Sequence, residues 1–414
     1  MKECNIAIVG AGPAGCMAAI KAVENTRSKK IVLIERNPSI CKKLLLTGRK
    51  RCNITNAADI DAFISKFGKK GKFYRTAFHK FFNNDLIEFI EKKGVKLKTE
   101  RQGRIFPCSD KAEDIKNVML LYLKEKNVDL LLNHKVEKIE KKDNFFYLYF
   151  EGDKKSIKAE KLILATGGAS YKETGSEGDG YLFAKAFGHK ISSIKPALVP
   201  LETKERWPKA LQGLALKNIR ITFYLSKRKI VSPVGELLFT HFGISGPLVL
   251  DLSGEIVEGL ESGEIKAHID LKPGLSREQL ADKMINAVTQ NGNLEAGTIM
   301  KDLIPKSMID IFLKITNIPK SKKGNQVTKK ERDSVIYNLK SLPLTISKSL
   351  PVDYGMVTNG GILLKEIDPR TMESKISKNL YFAGEIIEQA ASSGGFNLQK
   401  AFSTGYLSGE SVAK

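Results

Sequence analysis

Cysteine is scarce in this 414-residue chain, and its placement argues against several classes of protein. The five cysteines all fall within the first 108 residues, and no two form a C-x-x-C pair. We therefore expect neither a disulfide framework nor a metal site, because structural zinc requires clustered Cys and His ligands. The chain also lacks the run of about 18 apolar residues that spans a bilayer. Because no signal peptide is evident before the first strand-like segment, we expect a cytoplasmic protein without membrane insertion.

Positive charge is in excess, because 68 Lys and Arg residues oppose 46 Asp and Glu residues, for a net charge of +22. Such an excess is typical of proteins that bind nucleic acids or other anionic surfaces. The basic residues are mostly lysines spread along the chain, however, and the densest cluster, residues 320–332, contains no aromatic residue. We interpret them as a lysine-rich surface and do not expect nucleic acid as the partner. Binding of an anionic partner stays open as the alternative.

The hydrophobic pattern predicts an α/β fold that is split in the sequence. Residues 6–9 and 31–34, and residues 162–165 of the segment 161–165, are short continuous apolar runs, which are typical of parallel strands covered on both faces. Residues 196–275 are β-rich, whereas residues 276–345 mostly show the apolar spacing of helices. We therefore predict one Rossmann-like domain from residues 1–195 and 346–414. A β-rich domain at 196–275 and a helical domain at 276–345 interrupt it.

A glycine-rich turn after the first strand is the strongest local motif. Gly10, Gly12 and Gly15 have the G-x-G-x-x-G spacing, which permits a tight turn, close approach of a pyrophosphate and close helix packing. The following helix would place free N–H groups and the positive end of its dipole at the phosphate. Glu35 ends the next strand, twenty residues after Gly15, where a carboxylate can accept hydrogen bonds from a ribose. The motif predicts dinucleotide binding and is compatible with both FAD and NAD.

Two later segments favour FAD. Thr166, Gly167 and Gly168 follow a buried strand, where a second backbone crossing can pass close to the dinucleotide. Near the end of the chain, the carboxylate of Glu385 can bind ribityl hydroxyls, and Gly395 precedes a helix. The N-terminus of that helix can face the flavin pyrimidine carbonyl and stabilise negative charge on the reduced ring. A domain that binds only NAD has no need for this distant return of the chain.

Taken together, these motifs resemble a family of bacterial NAD(P)/FAD-dependent oxidoreductases that includes BaiN, RdsA and aminoacetone oxidase-like enzymes. The resemblance covers nearly the whole chain and rests on the order and spacing of residues 10–15, 43–48, 51–56, 106–107, 167–171, 174–181, 196–201, 239–247, 357–361, 371–375 and 384–397. It implies an FAD domain of the glutathione-reductase type, with an inserted β-barrel-like unit and a helical unit. Arg49 and Lys50 depart from the family pattern, which usually has glycines there.

The resemblance also implies a bacterial flavoprotein in which non-covalently bound FAD exchanges a hydride with a small organic substrate. NAD(P)H as a transient cosubstrate and O2 as the acceptor are both compatible with the family. From the motifs and the resemblance together, the predicted cofactor-binding residues are Gly10, Ala11, Gly12, Pro13, Ala14, Gly15, Glu35, Arg36, Lys43, Leu44, Arg51, Cys52, Asn53, Val136, Thr166, Gly167, Gly168, Gly384, Glu385, Gly395, Asn397 and Leu398.

His241 is the candidate catalytic residue, because it lies in a glycine-rich loop of the insert and can donate or accept a proton. A purely structural histidine is the alternative. Cys52 is either a packed small side chain or a reactive thiol, and the absence of an evident resolving cysteine favours packing. The net charge motivates an alternative function, an RNA-directed flavoprotein such as a tRNA modifier.

Overall fold

The computed structural model describes residues 1–26, 29–152, 155–226 and 228–414, which form two compact units. Unit 1 comprises residues 1–197 and 352–414, and unit 2 comprises residues 198–351. The strands are β1 Lys2–Val9, β2 Ile31–Ile34, β3 Thr55–Asn56, β4 Leu97–Thr99, β5 Arg104–Pro107, β6 Asp129–Leu131, β7 Val136–Lys142, β8 Phe145–Phe150, β9 Ile157–Leu164, β10 Lys195–Ala197, β11 Leu201–Thr203, β12 Ala215–Tyr224, β13 Lys229–Val231, β14 Gly235–Phe239, β15 Gly243–Ser245, β16 Ile265–Asp270, β17 Leu342–Ser349, β18 Val357–Asn359 and β19 Leu380–Phe382.

The helices are α1 Pro13–Glu24, α2 Thr47–Lys50, α3 Ile60–Lys66, α4 Arg75–Lys80, α5 Asn83–Glu91, α6 Ala112–Glu125, α7 Asp179–Ala186, α8 Pro247–Gly259, α9 Arg277–Gln290, α10 Ala296–Ile299, α11 Ile309–Ile315, α12 Lys329–Lys340 and α13 Phe396–Ala413. The short α2 contains left-handed residues and is a turn rather than a regular helix. Within the described residues, no helix combines the length and the apolar character that crossing a bilayer requires.

The main sheet of unit 1 has the strand order β6-β2-β1-β9-β8-β7. β6, β2, β1 and β9 are parallel neighbours, and β8 and β7 continue the sheet as an antiparallel extension. β9 uses its first part to pair with β8 and its last part, residues 162–164, to pair with β19 in parallel. β19, from the C-terminal part of the chain, therefore belongs to the same sheet as the strands of the N-terminal part.

Alternate residues of β1 pack on opposite faces of this sheet, as the period of two in a strand requires. Ile6 and Ile8 join a hydrophobic cluster with α1 and α6, whereas Ala7 and Val9 join a cluster with β8 and β9. Both faces are covered, which explains the continuous apolar runs in the sequence.

The first and last helices of unit 1 pack closely against each other. A Cβ atom on Gly405 of α13 would lie 2.3 Å from the carbonyl oxygen of Ala14, and one on Gly409 would lie 2.3 Å from that of Ala18. Glycines spaced by one helical turn therefore let α13 approach the backbone of α1. The two ends of the chain form one Rossmann-like domain, as the sequence predicts.

Unit 2 contains a closed antiparallel barrel. Its strands follow the order β12-β14-β15-β11-β17-β16, and β16 pairs back with β12, while β13 adds to the outer side of β12. The helices α9 to α12 lie in the sequence between β16 and β17, and Leu280, Phe312 and Val335 share one hydrophobic cluster with Phe223 of the barrel. The predicted α/β fold class with an inserted β-barrel-like unit and a helical unit is confirmed. The separate domain boundaries at 196–275 and 276–345 stay predictions.

Candidate dinucleotide site

The turn between β1 and α1 uses its glycines in two different ways. Gly10 has φ of 101°, and a Cβ there would lie 2.5 Å from the carbonyl oxygen of Ala165. A Cβ on Gly15 would lie 1.8 Å from the carbonyl oxygen of Gly10. A Cβ on Gly12, in contrast, would meet nothing within 4 Å. The first and third glycines are thus required by the protein's own backbone, whereas Gly12 borders open space at the uncapped N-terminus of α1.

Residues 165–168 pass directly against this turn. The Cα atom of Thr166 would lie 3.0 Å from a Cβ on Gly10, so the two predicted motifs are in contact. The hydroxyl oxygen of Thr166 is buried and has no hydrogen-bond partner within the described residues. Gly167 follows with φ of 77°. The Thr166 hydroxyl lies against Gly180 of α7, because a Cβ on Gly180 would come within 1.9 Å of it. The open space that fits a polar ligand such as a dinucleotide is therefore the space at Gly12, which the backbone of residues 165–168 approaches through Gly10.

The C-terminal motifs reach the same region. Gly384 has φ of 80°, and a Cβ there would lie 2.8 Å from the side chain of Ala14. Gly395 has φ of 95°, and a Cβ there would lie 2.3 Å from the carbonyl oxygen of Thr55. The structure thus brings the Gly384 turn against the first turn of α1. The residue preceding α13 lies against the segment that follows Cys52.

Lys43 and Glu385 form an ion pair across 342 residues of sequence. The Lys43 ammonium lies 2.9 Å from one carboxylate oxygen of Glu385 and donates to the hydroxyl of Ser170 at 2.7 Å. The backbone N–H of Thr358 donates to Glu385 at 2.7 Å. Burial acts to raise the pKa of Glu385, but Lys43 and the Thr358 N–H outweigh it, so its pKa lies below the usual value. Glu385 is an ionised, hydrogen-bonded carboxylate at this site.

Glu35 holds the turn from the side of β2. One of its carboxylate oxygens accepts the backbone N–H of Ala11 at 2.8 Å, and the other accepts the backbone and side-chain N–H groups of Asn37 at 2.9 and 2.7 Å. Because each carboxylate oxygen accepts about two hydrogen bonds, Glu35 keeps capacity for a ligand hydroxyl.

Arg36 connects the end of β2 to the segment before α7. Its guanidinium lies 3.0 Å from both Glu177 and Asp179 and donates to the carbonyl oxygen of Gly175 at 3.2 Å. A cavity of about 330 Å³ is lined by Arg36, Gly175, Glu177 and neighbouring residues. Asp179 was not among the predicted site residues, although it lies in the glycine-rich segment 174–181 that carries the resemblance.

The loop between Lys43 and β3 contains consecutive left-handed residues. Gly48, Arg49 and Lys50 have φ of 57°, 60° and 68°, and Cys52 has φ of 61°. Arg49 and Lys50 are exposed, whereas Cys52 is fully buried. Burial raises the pKa of the Cys52 thiol to about 12, with the Thr47 side chain acting in the opposite direction. A thiol in this environment stays protonated, which is consistent with packing rather than reactivity.

The other predicted residues of this loop contact protein groups. Arg51 pairs with Glu100 at 2.8 Å and with Asp110 at 3.3 Å, and the Asn53 side chain accepts the N–H of Ile105 at 3.2 Å. Leu44 is buried in the hydrophobic cluster around α1. Their contact with a cofactor stays a prediction.

Three further predicted cofactor-binding residues, Val136, Asn397 and Leu398, contact other protein groups in the structure. Val136 is buried in β7 and belongs to the hydrophobic cluster that includes β8 and β9. Leu398 packs on the cluster around α1. The side chain of Asn397 accepts the N–H of Ala391 and donates to its carbonyl oxygen, both at 2.9 Å. Asn397 therefore shapes the segment that precedes α13.

His241 lies in unit 2, at the tip of the turn between β14 and β15. Backbone hydrogen bonds between Thr240 and Gly243 close this turn. The imidazole is exposed and contacts the ring of Phe242 edge-on, with 4.7 Å between the centroids. Its catalytic role stays a prediction.

Lys400 is a buried charged group that the sequence reasoning missed. It lies in α13 with only 3% of its surface exposed. Burial lowers its pKa to about 7, and the charges of Glu385 and Glu388 act in the opposite direction. The available sequence signal is that Lys400 is the one charged residue among the uncharged residues 398–405.

The fold and this site define a Rossmann-type dinucleotide-binding protein of the flavoprotein class. The chain belongs to the family of HI0933-like Rossmann-domain proteins, whose model matches residues 4–411.

Similar proteins are found over almost the full length of the chain. It is 30% identical to the 3-dehydro-bile acid delta(4,6)-reductase of Clostridium scindens over 410 residues, which cover 99% of each chain. It is 27% identical to the ribosomal RNA dihydrouridine synthase of Escherichia coli, with 98% of this chain and 97% of that protein covered. The solved structure of a 3-ketosteroid-delta4-(5alpha)-dehydrogenase from Rhodococcus jostii has a similar fold, with a TM-score of 0.54 and 12% identity over all of this chain and 97% of that one.

Proposed function

We propose that unit 1 binds FAD non-covalently and that the protein uses it to reduce an organic substrate. The observation that carries this proposal is the meeting of the Gly10–Gly15 turn, the 165–168 segment and the Gly384 turn beside the open space at Gly12. The family, and a fold shared with flavoenzymes, support FAD as the cofactor. When bound, FAD supplies hydride transfer, and the protein supplies binding and orientation.

At the N-terminal side of the site, we assign the pyrophosphate to the space beside Gly12. The N–H groups of the first turn of α1 point into that region, and no side chain caps them. Glu35 would accept a hydrogen bond from the ribose of the adenosine, using the acceptor capacity that Ala11 and Asn37 leave. Arg36 would hold the 175–179 segment around the adenosine.

At the C-terminal side, we assign the ribityl chain to Glu385. Its ionised carboxylate, fixed by Lys43 and the Thr358 N–H, is a strong acceptor for hydroxyl groups. The N-terminus of α13, preceded by Gly395, would place positive dipole charge at the flavin pyrimidine carbonyl. That charge would stabilise the reduced ring.

The names of the relatives favour a reduction of carbon–carbon double bonds. One is a delta(4,6)-reductase of a 3-dehydro bile acid, and the others make dihydrouridine, in which the ring double bond of uridine is reduced. In both cases the double bond is conjugated to a carbonyl, which makes one carbon an acceptor for hydride. We infer that this chain reduces a small organic substrate of that type, with NAD(P)H as a transient cosubstrate and His241 as the candidate proton donor.

Anaerobic mixing separates this reductase from an amine oxidase of the same family. The proposal predicts that NADH or NADPH bleaches the bound flavin and that a conjugated enone restores its colour. Bleaching by amines alone, with no response to either nicotinamide, would contradict the proposed reductase.

RNA is the second candidate substrate, because one segment of unit 1 has a local excess of positive charge. Residues 42–80 contain 11 Lys and Arg residues but only two Asp and Glu residues. Lys66, Lys69 and Lys72 in this segment are exposed. Phosphate contacts would make such binding strongest at low salt.

A gel-retardation series with ribosomal RNA at increasing salt tests this candidate. The K69E/K72E variant should lose binding, whereas the control K217E/K229E, two exposed lysines of unit 2 outside the 320–332 cluster, should keep it. No retardation of wild type at the lowest salt would remove RNA from consideration. Incubation with reductant and RNA, followed by mass analysis of the nucleosides, then shows whether uridine gains two hydrogens.

A further inference from the structure

Lys400 donates to a ring of backbone carbonyl oxygens that converge on one point. Its ammonium lies 2.7 Å from the carbonyl oxygen of Ile387, 2.9 Å from that of Gln389 and 3.3 Å from that of Glu388. An ammonium has three N–H groups, so all of its donors find acceptors. Lysine is rarely buried to this extent, and its presence here calls for a function.

The segment that Lys400 holds, residues 387–391, links two parts of the proposed FAD site. It begins just after Glu385 and ends just before the loop that leads into α13. Gln389 has φ of 79°, a left-handed conformation that costs a non-glycine residue about 1 kcal/mol or more. Such a conformation persists only where surrounding contacts hold it in place.

Further contacts hold the middle of this segment. The hydroxyl of Tyr74 donates to the carbonyl oxygen of Glu388, and the backbone N–H of Leu364 donates to the Glu388 carboxylate at 3.0 Å. Lys70 pairs with the same carboxylate at 2.7 Å. Of these groups, Lys400 alone bonds three successive carbonyl oxygens.

Removal of the ammonium would leave the carbonyl oxygens facing one another in a buried site. The carbonyl oxygens of Ile387 and Gln389 would lose the donor that Lys400 provides, whereas that of Glu388 would keep the Tyr74 hydroxyl. Each buried carbonyl without a donor costs about 1–3 kcal/mol, so the segment would relax by turning these two toward water. A methionine at position 400 fills a similar volume but donates no hydrogen bond. The structure therefore predicts that a neutral residue here releases the segment while α13 stays packed on α1.

We propose that Lys400 is a positioning residue for FAD, which fixes residues 387–391 between the ribityl-binding Glu385 and the N-terminus of α13. This inference rests on the proposed function, because it assigns FAD to that site. Lys400 would thus belong to the site without touching the cofactor, because it acts through the backbone of residues 387–391.

Lys161 provides a matched control. Its ammonium donates to the carbonyl oxygen of Val412 at 2.9 Å, at the opposite end of α13. Like Lys400, Lys161 donates to a backbone carbonyl of unit 1. Its contact lies at the C-terminal end of α13, whereas the proposed site lies at the N-terminal end. A Lys161→Met change thus removes a single lysine–carbonyl contact of α13 at a distance from the proposed site.

The experiment measures FAD affinity, flavin reduction potential and amide hydrogen exchange of residues 387–391 in wild type, K400M, K400Q, K400R and K161M. We expect K400M to weaken FAD binding at least about tenfold and K161M to change it less than about twofold. K400M should also lower the reduction potential and speed exchange in this segment. K400R should restore part of the affinity, because it keeps the positive charge and several donors but replaces the compact ammonium with a larger planar guanidinium.

K400Q serves if K400M does not fold, because it keeps two donors but lacks the charge and the third donor. If folded K400M and K400Q bind FAD as tightly as wild type, or if K161M weakens binding as much as they do, the assignment is overturned. If wild type itself does not bind FAD, the proposed function fails rather than this assignment.

Discussion

Replacement of Gly12 by alanine should weaken FAD binding about 100-fold without unfolding the protein. Gly12 has an ordinary φ of −74°, and a Cβ there would meet no protein atom within 4 Å. The loss of an N-cap glycine and the gain from a stiffer unfolded chain are both small, so the free energy of unfolding should change by less than about 1 kcal/mol. The new methyl group would instead occupy the space that we assign to the pyrophosphate.

The magnitude follows from the hydrogen bonds that the displaced pyrophosphate would lose. Two bonds from backbone N–H groups to a charged phosphate are worth about 1.5 kcal/mol each, or about 3 kcal/mol together. At 1.4 kcal/mol per factor of ten, FAD affinity should fall by about 100-fold.

Gly15→Ala is the informative companion to this variant. Its Cβ would lie 1.8 Å from the Gly10 carbonyl oxygen, so the backbone must shift and unfolding becomes easier by roughly 1–3 kcal/mol or more. Fluorescence titration with FAD, together with urea unfolding of both variants, measures the contrast. A stable Gly12→Ala protein that binds FAD as tightly as wild type would refute the reasoning.

Three further predictions concern other parts of the chain. Arg49→Gly should be neutral or stabilising by up to about 1 kcal/mol in urea unfolding, because it relieves a left-handed φ, and a clear loss of stability would count against that strain. Burial lowers the pKa of His189 in the folded protein below its usual 6.5, and Glu366 acts in the opposite direction. As the pH decreases, the unfolded chain therefore binds a proton at this residue before the folded protein does. The free energy of unfolding then falls as the pH decreases from 6.5 toward the folded pKa. His189→Gln should flatten this decrease in urea midpoints between about pH 7.5 and pH 5.5, and an unchanged slope would contradict it. His241→Gln should slow substrate reduction but leave reduction of the flavin by NAD(P)H unchanged, which stopped-flow mixing separates; an equal effect on both steps would exclude a role as proton donor.

Local patterns were sufficient to predict the split domain and the turns that meet in it. The spacing of Gly10, Gly12 and Gly15 and the apolar runs depend on neighbours in the sequence, so they can be interpreted without the fold. The closeness of both chain ends followed from the resemblance and from the pattern of returning strands. In the structure, the two ends are held together by the packing of α13 on α1.

Contacts between distant residues could not be predicted in the same way. Nothing near Lys43 in the sequence indicates its pairing with Glu385, and nothing near Arg51 indicates that its guanidinium pairs with Glu100. The role of Lys400 depends on three backbone carbonyl groups, which every residue has, so the residue types at these positions do not indicate it. Likewise, β17 completes the barrel only after the helices α9 to α12, a pairing that hydrophobic periodicity does not define.

The most direct test of the account is a quantitative flavin analysis of the purified protein, before and after reconstitution with FAD. The account predicts a yellow protein that releases about one FAD per chain on denaturation, as expected for a non-covalent cofactor held by a single dinucleotide motif. A folded protein that stays colourless and takes up no FAD would contradict it.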